Sequence, residues 1–190
     1  MDNKLARLYL LKEHLNIRDD SAELVLRYYL QSAEDYVRDY CNRQFSYGEY
    51  KHLVPLNPLL VDIHYVSVYP KETPIESIIN VEVWGEDTTD YTLIDNVVYV
   101  DISNQWTYRP RYILVDYVGG YHAPDSTDTP RVPTDLEQAV IYIASIMYNE
   151  RILGIGRQNI NTESGSFSLD FQKLPFYIKN ILEHYRYVSF

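Results

Sequence analysis

The side chains that could do chemistry are spread thinly along the sequence. Histidines can bind metals or move protons, and two of them serve one ion only when their spacing brings them together. No histidine pair here has HxH, HxxxH or HExxH spacing, so we expect surface or structural roles for all five. They are His14, His52, His64, His122 and His184.

Three adjacent carboxylate pairs could in principle do general acid–base work: Asp19-Asp20, Glu34-Asp35 and Glu86-Asp87. Neighbouring residues of a helix point to different sides, and the third pair falls in a predicted strand-to-strand turn. We therefore predict that all three pairs are solvated charges.

The motifs for nucleotide binding and nucleophilic catalysis are incomplete. The Gly154-Ile155-Gly156 run follows a predicted helix and lacks the third glycine of a dinucleotide loop, and no Gly-Lys-Ser/Thr triplet occurs. Ser166 has no GxSxG context. The single cysteine, Cys41, excludes an internal disulfide and lies on the apolar face of a predicted helix. The sequence thus predicts no cofactor, no metal site and no enzymatic activity.

Composition narrows the function classes. The 190 residues include 17 basic and 27 acidic ones, and the resulting net charge of −10 disfavours a sequence-reading nucleic-acid binder. Twenty tyrosines against five phenylalanines indicate half-buried rings, as at subunit interfaces. The longest apolar-rich stretch, residues 138–149, is too short to cross a bilayer, and charges interrupt the N-terminus where a signal-peptide core would lie. We expect a soluble, intracellular protein.

The first 45 residues predict two helices. Apolar residues recur at helical spacing from Leu5 to Leu15, where Asn3 could cap the start. A second apolar stripe runs from Leu26 to Cys41, preceded by Asp20 and Glu23 as a carboxylate capping box. This helix is expected to end near Asn42 to Gln44.

Two more helices are predicted towards the C-terminus. Thr134 and Glu137 form a capping box before the most apolar helix, which runs to about Leu153. The last helix opens at Leu174 and Pro175, where proline suits the first turn.

The middle of the chain predicts antiparallel strands. Its prolines break helices, and the Asp95-Asn96 pair is a plausible tight hairpin turn with positive φ. The β-branched and aromatic runs are residues 61–68, 75–84, 91–94, 97–102 and 112–118. The predicted fold is α+β: a mainly helical bundle of residues 1–45 and 133–190, with an inserted β-rich subdomain and return loop at 46–132.

Three segments carry a recognisable set of motifs in order. They are an opening helical hairpin at 11–45, a Tyr-x-x-Gly-Tyr loop with Pro-x-Asp-Leu and a helix at 116–151, and a closing Leu-Pro helix at 174–186. Together they resemble the head-tail connector (adaptor, head-completion) proteins of tailed bacteriophages and prophages. The positions that carry the family motif are Asp20, Ala33, Asn42, Arg43, Phe45, Gly120, Tyr121, Pro133, Asp135, Leu136, Leu174 and Pro175.

The resemblance implies a structural protein of the virion, assembled in the host cytoplasm. Such adaptors form a ring, usually a dodecamer, between the portal protein of the DNA-filled head and a stopper or tail protein. On this hypothesis the acidic balance lines a channel through which double-stranded DNA passes without sequence-specific binding. The excess tyrosines serve contacts between subunits, and no membrane is involved.

Two segments are candidates for partner contacts on the same hypothesis. The C-terminal end could dock on the portal, unless it merely frays. Its candidate residues are Tyr185, Arg186, Tyr187, Val188 and Phe190. The Gly/Asn/Ser-rich segment at 154–171 could order on binding a tail protein, unless it is a passive linker. Its candidate residues are Gly154, Gly156, Arg157, Asn159, Asn161, Ser164, Ser166 and Phe167.

Two other functions remain open at this point. One is a small-ligand or catalytic domain with a pocket in the β insert around Trp84 and Trp106. The other is a DNA-packaging accessory protein that contacts duplex DNA, against which the net charge argues.

Overall fold

The chain folds into two compact units, seen in a computed structural model that describes residues 5–56, 64–103, 111–153 and 174–188. Met1–Arg43 and Ala123–Phe190 form the first, called here the helical unit, and Gln44–His122 forms the second, the β unit. Residues 123–132, which the sequence analysis placed with the insert, group with the helices, and Val132 is buried there. The secondary structure confirms the α+β class.

The helical unit contains four helices in the described residues. They are α1 (Leu8–His14), α2 (Glu23–Cys41), α3 (Thr134–Leu153) and α4 (Phe176–Tyr185). The predicted end of α2 is confirmed: Asn42 adopts the left-handed conformation with φ of 51° and ends the helix one residue after Cys41. α2 packs against α3, and the buried faces of both carry the apolar residues that their periodicity predicted, such as Leu26, Ala33 and Ile143.

The predicted capping boxes are wrong. Ala22 is the N-cap of α2, and the Asp20 carboxylate accepts a hydrogen bond from Lys12 at 2.5 Å. The Glu137 carboxylate is bound by Arg7, so it does not close a box with Thr134. The competing partners are charged, and a hydrogen bond between two charged groups is stronger than one to a neutral N–H. The proposed cap Asn3 lies outside the described residues.

The β unit contains two antiparallel sheets within the described part of the chain. Their strands are β1 (Gly48–Pro55), β2 (Tyr65–Val68), β3 (Ile75–Val83), β4 (Glu86–Asp87), β5 (Tyr91–Ile94), β6 (Val97–Asp101) and β7 (Tyr112–Gly119). One sheet has the order β1-β7-β3-β4, and the other has the order β2-β6-β5. The last strand is thus central in its sheet and pairs with β1 and β3.

Period-two alternation builds the β-unit core. In β7 every second residue, Ile113, Val115 and Tyr117, is fully buried, while Val98 and Val100 of β6 do the same from the other sheet. These residues form one hydrophobic cluster with the buried valines of β2 and β3. The inner faces of both sheets therefore share a single core.

Two of the local predictions for the β unit have different outcomes. The Asp95-Asn96 turn is confirmed, with φ of 50° and 66° between β5 and β6. The Glu86-Asp87 pair is exposed as predicted but forms β4, because the positive φ values fall on Trp84 and Gly85, which make the turn one step earlier.

Strand β1 was not predicted. Its residues alternate between half-buried and exposed, but polar Glu49, Lys51 and His52 dilute the apolar pattern. Pairing along the whole length of β7 stabilises it instead, from Gly48 opposite Gly119 to Pro55 opposite Tyr112.

Candidate functional site

Among the residues that the structure describes, three carboxylates are almost completely buried: Glu34, Glu72 and Glu137, each with 2% of its surface exposed. A buried carboxylate must be fully hydrogen-bonded or it destabilises the fold. The burial of Glu34 corrects the prediction that its pair with Asp35 is solvated, since only Asp35 is exposed. Each of the three binds backbone N–H groups distant in sequence, so they organise the fold.

Glu34 holds the N-terminal segment against α2. Its Oε1 accepts hydrogen bonds from the N–H groups of Leu5 at 2.9 Å and Ala6 at 3.3 Å. Arg38, one turn later, lies 3.3 Å from Oε2. Burial raises the pKa of Glu34, and the positive charge of Arg38 opposes that shift.

Glu137 binds the next residue of the same segment. Its Oε1 accepts hydrogen bonds from the backbone N–H of Arg7 at 3.0 Å and from the Arg7 Nε at 2.8 Å, and its Oε2 accepts one from Nη2 at 2.8 Å. These contacts raise the pKa of Arg7 further above its already high value. The start of the chain is thereby bonded to α2 and α3 before α1 begins.

Glu72 performs a similar task in the β unit. It accepts hydrogen bonds from the backbone N–H groups of Gln44 at 2.8 Å and Phe45 at 2.9 Å. Its own N–H donates to the hydroxyl of Tyr117 at 2.9 Å. Phe45 is fully buried with a φ of 64°, so this acid fixes the strained entry of the chain into the β unit.

The Tyr-x-x-Gly-Tyr motif packs against the same entry segment, residues 44–47 of the β unit, which we call the junction. Gly120 has φ of +94°, and a Cβ atom there would lie 2.1 Å from the carbonyl oxygen of Ser46. Tyr121 donates its N–H to Phe45 and accepts that of Tyr47, so the entering and leaving segments are hydrogen-bonded together. The motif residues Phe45, Gly120 and Tyr121 thus lie close together. At position 120 glycine is the residue type that fits, because the φ is positive and a Cβ would clash.

The other motif residues stabilise the helical unit. Asp135 accepts a hydrogen bond from the Tyr185 hydroxyl at 2.9 Å. Arg43 is 7% exposed, and its Nη1 lies 3.5 Å from the Tyr185 carbonyl oxygen. The buried apolar members are Ala33, Leu136 and Leu174. Pro133 accepts the N–H of Glu137, and Pro175 sits one residue before the first residue of α4, not inside it.

The described residues contain neither a metal-binding cluster nor a reactive thiol. No group of three or more histidine, cysteine or acidic side chains among them could hold a metal ion. Burial raises the pKa of Cys41 to about 12, and its Sγ lies 3.5 Å from the Leu182 carbonyl oxygen, so the thiolate that reacts is suppressed.

The C-terminal segment is held against the end of α2. The N–H of Tyr187 donates to the carbonyl oxygen of Cys41 at 2.8 Å. The Arg186 guanidinium lies 5.5 Å from the centre of the Tyr40 ring, and the Tyr40 hydroxyl bonds Glu183. Val188 is 57% exposed at the edge of this arrangement. The candidate Phe190 lies outside the described residues.

The remaining candidates are the tail-contact residues at 154–167 and the two tryptophans. All the residues at 154–167 and Trp106 lie outside the described residues. Trp84 is 41% exposed at the β3–β4 turn, with the Arg111 guanidinium 5.6 Å from its ring centre.

The helical unit contains a groove of about 550 Å³ between α1, α3 and α4. Apolar and aromatic side chains line most of it, and an edge contact between Tyr142 and Tyr177, 5.9 Å between ring centres, forms part of one wall. Its apolar and ring-bearing lining side chains include Leu10, His14, Ile141, Tyr142, Tyr177 and Ile181. The sequence analysis did not predict this groove, because its residues come from three helices. The signal that could have indicated it is the exposed aromatic pair Phe176 and Tyr177 beside Ile178.

Residues 6–80 match the family model of phage gp6-like head-tail connector proteins. This match covers 75 of the 190 residues and supports a phage head-tail connector family. The matched region contains α1, α2, Phe45 and Glu72, while Gly120 and Tyr121 lie outside it. No curated protein sequence matches the connector.

Solved neck structures share the connector's fold. One, the neck of an empty GTA particle computed with C6 symmetry, has a TM-score of 0.56 at 13% identity and covers 98% of this chain and 91% of that one. Another, the neck of a native GTA particle computed with C12 symmetry, has a TM-score of 0.50 at 14% identity over 96% and 89% of the two chains. The family and these folds support a structural connector function. No helix in the described ranges is long and apolar enough to span a membrane.

Proposed function

We propose that the connector assembles as a homo-oligomeric ring, a dodecamer in the virion, between the portal protein and a stopper or tail protein. The observation that carries this proposal is the family match over the α1–α2 hairpin and the junction. The neck structures of similar fold were computed with C6 and C12 symmetry, and a cyclic ring is the assembly such symmetry describes. The role is structural rather than catalytic, and the protein acts in the virion after assembly in the host cytoplasm.

The distribution of charge supports passage of DNA through the ring. Residues 44–122 contain eleven acidic and four basic residues, so most of the net charge of −10 belongs to the β unit. A surface of this sign repels phosphates and lets duplex DNA move without binding. We assign the DNA-facing surface to the β unit on this basis.

The C-terminal segment is our proposed portal contact. Tyr185, Arg186 and Tyr187 are anchored by their bonds to the helical unit, which presents Val188 at the surface in a fixed place. Pre-ordering lowers the entropy cost of docking. The segment at 154–171 is proposed as the contact for the stopper or tail protein.

Assembly is tested by light scattering and negative-stain imaging of the full chain, alone and with the portal protein of the same virus. A ring of about twelve 22.4 kDa subunits is expected on at least one of the two samples. A monomer that also fails to bind the portal would contradict the proposal.

The portal contact is tested by pull-down with Val188→Asp. Loss of portal binding is expected, whereas Ile79→Asp, a control at a similarly exposed residue of β3 (53%), should bind as wild type does. Equal binding by the two variants would overturn the assignment of the C-terminal segment.

A further inference from the structure

The helical unit has a second exposed apolar surface besides the groove. On α2, Leu24 is 84% exposed and Tyr28 is 63% exposed, and Gln31 follows them on the same helical face. Residues at i, i+4 and i+7 of a helix form a continuous row. We call this row the ridge. Exposed leucine and tyrosine in such a row are typical of a contact surface.

The ridge and the groove are separate surfaces of the helical unit. At about 100° per residue, Leu24 and Tyr28 lie about 160° to 200° around α2 from buried Leu26, so the ridge points away from α3, against which α2 packs. The groove is lined by α1, α3, α4 and Arg7, with no residue of α2 in its walls. The two surfaces therefore share no residue.

We propose that the ridge of one connector subunit docks into the groove of the next. This inference rests on the proposed ring and names its subunit contact. A ridge on one subunit and a groove on the next make a contact between two different surfaces, which repeats head to tail and closes into a ring when the rotation between neighbours allows. The occupant of the groove is thus a second copy of this chain.

The apolar character of both surfaces fits that occupant. Leu24 and Tyr28 supply apolar side chains for a groove lined by Leu10, Ile141 and Ile181. Next to the ridge, Arg27 is already paired with Glu23 of its own helix, so the contact is expected to depend on its apolar side chains. Phe176, 77% exposed in the first turn of α4, extends the apolar rim.

Cysteine cross-linking tests the contact without removing an apolar side chain. Gln31→Cys places a thiol on the ridge, and Gln138→Cys places one in the groove. When the two single variants are mixed in the full chain under mild oxidation, a covalent dimer containing one of each is expected. The double variant should give a ladder of covalent oligomers, while each single variant alone gives none.

A matched control replaces the groove thiol by Ser67→Cys, an exposed residue of β2, and should give no cross-link with Gln31→Cys. A second arm compares Leu24→Asp with Leu53→Asp, a leucine of β1 that is 56% exposed. Leu24→Asp should weaken self-association at least tenfold by light scattering, and Leu53→Asp should leave it unchanged.

The outcomes separate the two proposals. Oligomers or rings that form without the 31–138 cross-link, or that tolerate Leu24→Asp, overturn the ridge–groove contact and leave the ring intact. A chain that gives neither oligomers nor cross-links, alone and with the portal protein, overturns both. Groove binding by a different protein, with no effect of Leu24→Asp on self-association, also overturns the inference.

Discussion

Arg7 and Glu137 lie 130 residues apart in sequence and form a bidentate ion pair, with 2.8 Å from Nη2 to Oε2 and from Nε to Oε1. Glu137 is 3% exposed in its side chain and Arg7 is 31% exposed, so solvent weakens the pair only from one side. The same carboxylate also accepts the backbone N–H of Arg7. One buried acid therefore ties the first described residues of the connector to the first turn of α3.

Glu137→Gln should destabilise the connector by about 2 kcal/mol, because the amide leaves the guanidinium without its charged acceptor. Urea unfolding measures the change. Glu23→Gln is the control, since Glu23 pairs with Arg27 on the exposed face of α2, where an ion pair contributes less than about 1 kcal/mol. Similar losses in both variants would contradict the role given to Glu137.

Gly120→Ala should destabilise the connector by about 3 kcal/mol or abolish its folding. The new Cβ would lie 2.1 Å from the Ser46 carbonyl oxygen, and the φ of +94° is unfavourable for alanine. Gly48→Ala is the control, because a Cβ there comes no closer than 3.9 Å to any neighbour. Thermal unfolding of the two variants checks the result, and a wild-type Tm for Gly120→Ala would show that the junction can open.

The raised pKa of Glu34 should make its contribution to the free energy of unfolding fall as pH rises. Because the pKa of folded Glu34 is raised, the folded state binds its proton more tightly than the unfolded state does. The free-energy penalty for burying the ionised carboxylate is absent well below pH 4.5, the ordinary pKa of the group. It grows as pH rises above that value and is complete above the raised pKa. The difference in unfolding free energy between wild type and Glu34→Gln should therefore shrink as pH rises from about 4 upwards.

Urea unfolding at several pH values measures this difference, in which the other titrating groups cancel. Asp39→Asn, which removes an exposed carboxylate from the same helix, controls for the lost charge. A wild-type advantage over Glu34→Gln that grows with pH would have the wrong sign for a desolvated carboxyl.

Cys41 should resist thiol reagents in the native connector. Its side chain is fully buried, and burial raises its pKa to about 12, so little thiolate exists at neutral pH. Ellman's reagent should label it more than a hundredfold faster in urea than in buffer. Fast labelling of the native protein would mean that the contact between α2 and α4 opens readily, and would require Cys41→Ser in the cross-linking variants.

The sequence by itself determined the elements of the connector and their class. The apolar stripe of α2, the long apolar run of α3 and the Asp95-Asn96 turn are local signals, since each depends on residues within one or two turns of chain. The ordered motifs at 11–45, 116–151 and 174–186 carried the resemblance to head-tail connectors before any contact was known.

Tertiary structure decided what the buried acids and the weak strand do. The sequence predicted a solvated Glu34 and a capping Glu137 and gave no sign of Glu72, because their N–H partners lie 27 to 130 residues away and no local pattern encodes such a distance. Strand β1 exists because β7 pairs with it, not because of its own alternation. The ridge and the groove arise in the same way, since the side chains of four helices become two separate surfaces only when packing fixes which faces remain exposed.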